Sequence, residues 1–96
     1  MVPTVETLFV FARSIRGEDL ATSHRKKPFK VAVVGNTLEF TPGSSSQARM
    51  ESREHVEAIL ATLTKSGSLQ PAQYADVSFN ASYVLALIQR WRIAQA

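Results

Sequence analysis

Cysteine is absent from the chain. No disulfide can staple the fold, no thiol can act as a nucleophile, and no cysteine-ligated metal site can form. Histidine is nearly as scarce, with 2 residues, His24 and His55. His24 stands beside Arg25, Lys26 and Lys27, whose charge repels a metal cation. His55 has Glu51 four positions before it, but no second histidine or carboxylate cluster completes a ligand set. The spacing reads as an ordinary i,i+4 helix pair, and no metal or other cofactor is expected.

Long hydrophobic runs are missing as well. No segment approaches the ~20 apolar residues of a membrane span. The apolar run Leu8 to Ala12 has no basic residue ahead of it, as a signal peptide would. A cytoplasmic protein with no membrane partner is expected. Neither a G-x-x-x-x-G-K-[ST] nor a G-x-G-x-x-G loop occurs, and no G-x-S-x-G turn presents a serine nucleophile. No acid–base pair or nucleophile stands out, so the expectation is a protein that is not an enzyme.

What is present suits one small globular domain spanning residues 1–96. Hydrophobic residues make up 45% and charged residues 20% of the chain, which separates it from disordered sequences. The formal net charge is +3, but its distribution says more than its sum. Residues 13–30 hold six basic side chains against Glu18 and Asp19. A local basic cluster suits nucleic acid, an anionic ligand or an acidic partner, or forms a solvated loop with no ligand.

Patterning places the elements. Val5, Leu8, Phe9, Ala12 and Ile15 recur at helical spacing, with Thr4 or Pro3 at the start and Gly17 as the stop. Phe29, Val31 and Val33 alternate with Lys30, Ala32 and Val34, and after Gly35-Asn36 the alternation resumes with Leu38 and Phe40. This predicts a β-hairpin, because Gly-Asn suits a two-residue turn. In FTPGSSSQARMESR, residues 40–53, Pro42-Gly43 ends the second strand, and Ser44 with Gln47 forms a candidate capping box. That places Arg49 and Arg53 on successive turns of a helix whose apolar stripe is Val56, Ile59, Leu60 and Leu63. Gln70-Pro71 predicts a short turn through Tyr74. A last helix is expected from about Ala81 to Ile93, with Val84, Leu85, Ile88 and Trp91 as its core stripe. Tyr83 and Leu87 widen its apolar face, which suits a core position, an oligomer contact or both.

Two stretches carry candidate binding chemistry. A helix start at Ser44, Ser45 and Ser46 would offer unpaired N–H groups and hydroxyls to a phosphate, with Arg49 and Arg53 behind them. Arg25, Lys26, Lys27 and Lys30 would add salt-sensitive contacts. The second stretch is DVSFNASY, residues 76–83, where Asn80 and Ser82 could face a ligand and Tyr83, with Tyr74, could stack on a base. Helix caps and half-buried tyrosines account for the same residues without a ligand.

Gly17, Leu20 and Thr22, then Phe29-x-Val31, Ser45-Ser46 with Arg49, Tyr74, and Asn80-Ala81-Ser82-Tyr83 together form a pattern. It resembles small bacterial proteins of unknown role, some carried on mobile gene cassettes and some beside DNA-processing genes. The resemblance implies a bacterial origin, points toward DNA and assigns no catalytic residue.

The fold class expected is α+β, a β-hairpin packed against about three helices in α-β-β-α-α order. The function expected is a non-enzymatic nucleic-acid-binding module that contacts phosphates, with DNA favoured. Two alternatives stand beside it. One is a homodimer or larger oligomer joined through Tyr83, Leu87 and Trp91. The other is a binder of a small anionic ligand at the serine corner.

Overall fold

The computed structural model describes residues 2–22, 25–43 and 47–96. Helix α1, Val5–Ser14, begins where Thr4 Oγ1 accepts from the Thr7 amide at 3.1 Å. Such a cap satisfies one of the amides left unpaired at a helix start. The chain leaves the helix through Gly17 at φ +85°, a left-handed conformation that a side chain would strain. Val5, Leu8, Phe9 and Ala12 form the buried stripe, and Ile15 extends it.

Among the described residues, four antiparallel strands follow in the order β1 (Leu20–Ala21), β2 (Pro28–Val34), β3 (Thr37–Pro42) and β4 (Arg49–Ser52). The hairpin of β2 and β3 forms as its alternation requires, with Val34 opposite Thr37 across Gly35-Asn36. Gly35 takes φ +61° and Asn36 does not turn positive, the pattern of a type II′ turn. Phe29, Val31, Leu38 and Phe40 face the helices and are buried. Lys30, Val34 and Met50 lie on the open face of the sheet.

The hairpin expected as a pair is thus the centre of a four-stranded sheet, which answers the marginal stability of two strands alone. The added strand β4 corrects the expected helix start. Arg49–Ser52 pairs with β3, Phe40 opposite Arg49 and Leu38 opposite Glu51. Helix α2 begins only at Arg53 and runs to Ser66, capped by Ser52 Oγ, which accepts from the His55 amide at 3.3 Å. Ser44, Ser45 and Ser46 lie outside the described residues. Local spacing favoured helix through residue 49, but an open edge of β3 left its backbone groups and Leu38 to be covered. Cross-strand pairing outweighed a weak helical preference there.

Helix α2 ends at Gly67 in the left-handed region, φ +68°, with its amide donating to Leu63 O at 2.8 Å. A 3₁₀ turn, Pro71–Tyr74, leads to helix α3, Ala81–Gln95. Tyr74 is fully buried and its hydroxyl donates to Ser68 O at 2.6 Å, so it is not available to stack on a ligand. Helix α3 is the central element of the core: Val84, Leu85, Ala86, Leu87, Ile88 and Trp91 are all buried. Leu87 is 0% and Trp91 6% exposed, packed against α1 and the sheet within one chain. Of the three residues expected at a subunit interface, Leu87 and Trp91 are thus not presented at the surface, and Tyr83 is half-buried. Most of the apolar breadth of α3 is consumed by its own core, and Ile93 near its end stays exposed. Among the described residues, no helix is long and apolar enough to cross a membrane.

Candidate functional site

Two described residues of the connection between β1 and β2, Thr22 and Lys27, are tied together. The Thr22 amide donates to Lys27 O, and the Lys27 amide donates to Thr22 Oγ1, each at 3.1 Å. Lys26 takes φ +50°, and its neighbours Arg25 and Lys27 stand beside the end of β4 that carries Arg49. Between them and the start of α3 lies a cleft of about 560 Å³. Arg25 and Lys27 form one wall with Arg49, and Gln70 and Pro71 border it from the 3₁₀ turn. Tyr83 supplies the floor. Its ring stacks on Phe40 at 5.5 Å between centroids and meets Phe29 edge-on at 5.0 Å, which fixes it against the sheet.

Charge in this cleft has one sign. Among the described residues no acidic side chain lines it, and the side chains of Arg25, Lys27 and Arg49 make no ion pair. Three such cations on one concave surface repel one another unless an anion lies between them.

Phe79 is at the rim of the same cleft and is 100% exposed. A fully solvated phenyl ring contributes nothing to the core, and it is the residues on either side of it that are anchored. Ser78 Oγ donates to Glu51 Oε2 at 2.7 Å and accepts from the Asn80 amide at 3.0 Å. Asn80 Nδ2 donates to Glu51 Oε2 at 3.1 Å and to Met50 O at 3.3 Å. Glu51 is 2% exposed, so the residues flanking Phe79 are anchored to a buried carboxyl on β4. Its other oxygen, Oε1, lies 2.9 Å from His55 Nδ1 without an aligned hydrogen bond. The Glu51/His55 contact therefore joins a strand to a helix rather than two turns of one helix.

The expected phosphate ligands divide. Arg25, Lys27 and Arg49 converge on the cleft. Lys26 is exposed in the loop but does not line it, and Lys30 lies on the open sheet face, 3.6 Å from Asp19. Arg53 is engaged elsewhere: it pairs with Glu6 and, at 3.4 Å, with Glu57, and its guanidinium lies 5.8 Å from the centre of the Phe9 ring. It ties α2 to α1 and is not presented to a ligand. Arg53→Ala should lower stability by about 1 kcal/mol, a fall of roughly 4–8 °C in Tm by thermal melting, and leave ligand binding unchanged. An unchanged Tm with weakened binding would return Arg53 to the site.

Of the second stretch, Asn80, Ser82 and Tyr83 line the cleft, and Asn80 makes no side-chain cap on α3. Sequence reading missed Phe79 and the burial of Glu51. Phe79 was legible as an aromatic one position before a helix cap and off the stripe of α3. Glu51 looked like any helical glutamate until β4 formed. Among the described residues no three histidine, aspartate or glutamate side chains gather where they could hold a metal. No family model, curated protein or solved structure matches this chain significantly, so the bacterial resemblance rests on its short motifs alone.

Proposed function

We propose that the protein is a nucleic-acid-binding module that acts without catalysis and holds the phosphate backbone in the cleft between the β1–β2 loop, β4 and the start of α3. What carries the reading is one observation: among the described residues, three cations free of ion pairs share a cleft lined by no acid with a fully exposed aromatic ring. Guanidinium groups match phosphate oxygens in bidentate fashion, and Lys27 adds a point charge. DNA is the polymer to which the sequence resemblance points. Phosphate contacts of this kind position the polymer without reading its sequence.

The double variant Lys27→Ala with Arg49→Ala tests the reading. Both side chains are exposed, so the fold should survive, which a thermal melt verifies. In fluorescence anisotropy against labelled DNA, affinity at low salt should fall by roughly tenfold or more. The slope of log K against log salt should become shallower by about two, one for each lost phosphate contact. Undiminished binding by the variant would remove the cleft from the function.

A further inference from the structure

We infer that the strand held in this cleft is single, with an unpaired base stacked on Phe79. The inference rests on the nucleic-acid reading above and specifies the form of the polymer. An exposed ring needs a flat apolar partner, and every nucleobase has one on each face. In a duplex those faces are already covered by neighbouring base pairs. In a single strand they are open, and a base can turn out of the backbone path without breaking a pair.

The geometry around Phe79 favours such a base over a passing one. Ser78 and Asn80, on either side of it, both donate to the buried Glu51 carboxyl, and Asn80 donates also to Met50 O. The backbone that carries the ring is thereby ordered before any ligand arrives, so less freedom is lost on stacking. The basic wall at Arg25, Lys27 and Arg49 belongs to the same cleft and takes the phosphates while the base meets the ring. A concave space of about 560 Å³ accommodates a nucleotide turned out of its strand, whereas a duplex would meet only its rim.

The test is anisotropy of the full chain with a labelled mixed-sequence DNA oligonucleotide, alone and annealed to its complement, using wild type, Phe79→Ala, Phe79→Trp and Lys27→Ala/Arg49→Ala. The single strand should bind at least about tenfold more tightly than the duplex. Phe79→Ala should lose about 5- to 150-fold in single-strand affinity, the range of one lost base stack, and Phe79→Trp should retain it. Since Phe79 packs against nothing, its melting temperature should not move, which separates lost stacking from lost folding. A duplex bound as tightly as the single strand, or an unchanged Phe79→Ala, overturns the inference. If Lys27→Ala/Arg49→Ala still weakens binding in that case, the nucleic-acid reading stands without it. If neither form binds at low salt, both fall together.

Discussion

Leu87→Ala should destabilise the protein by about 3 kcal/mol, and Leu87→Arg should leave no folded chain to isolate. Leu87 is 0% exposed in the middle of α3, the helix that touches both α1 and the sheet. Truncation to alanine removes buried methyl groups and leaves a cavity that neighbours fill only in part. In a domain of this size that loss is a large share of a total stability of about 5–15 kcal/mol. The midpoint of urea unfolding followed by circular dichroism should fall clearly, with the slope unchanged. Arginine would have to bury an unpaired charge in the same space. The competing idea, that Leu87 is a subunit contact, makes a different demand. A folded Leu87→Ala with the wild-type midpoint and an altered mass in solution would restore it.

Glu51→Ala should cost about 2–4 kcal/mol and loosen the segment that presents Phe79. A buried carboxyl is expensive to desolvate, but this one accepts two hydrogen bonds from Ser78 and Asn80 and lies beside His55. Its removal takes the acceptor from two half-buried donors, Ser78 Oγ and Asn80 Nδ2, of which Asn80 keeps its bond to Met50 O, and it leaves a cavity where the carboxyl was buried. Glu51→Gln keeps the shape and one acceptor, so it should lose less. Native-state hydrogen exchange gives the more telling measurement. The Asn80 amide, which donates to Ser78 Oγ, should exchange faster in Glu51→Ala than global destabilisation alone explains. Exchange that tracks only the global change would show that the Ser78–Asn80 segment orders itself without Glu51.

Much of the fold was legible because its signals are local. The alternation across residues 29–40 with Gly-Asn between its halves specifies a hairpin, and the hairpin is there. Helix α1 carries its cap, its apolar stripe and its glycine stop within 14 residues of sequence, from Thr4 to Gly17. The error fell at residues 49–52, where Arg49, behind the Ser44/Gln47 pair and four positions before Arg53, resembles the early turns of a helix. Nothing within that stretch says that the edge of β3 needs a partner, and that need decided it.

For the site, sequence reading found the stock of cations but could not sort them. Arg49 and Arg53 are four residues apart and were assigned one role. Pairing with β3 turns Arg49 into the cleft, whereas Glu6, 47 residues away, takes Arg53 out of use. Lys30 lies on the open sheet face near Asp19, which precedes β1. Leu87 and Phe79 show the same division among apolar residues: Leu87 was read as a contact residue and is fully buried, whereas Phe79 was given no role and is fully exposed. By itself the sequence determined the α+β class, the hairpin, the helical stripes and the excess of positive charge, because turn conformation and side-chain periodicity act over a few residues. Only the tertiary structure decided which charges stay unpaired, where Glu51 is anchored and which aromatic ring faces solvent, because those depend on pairs brought together from distant parts of the chain.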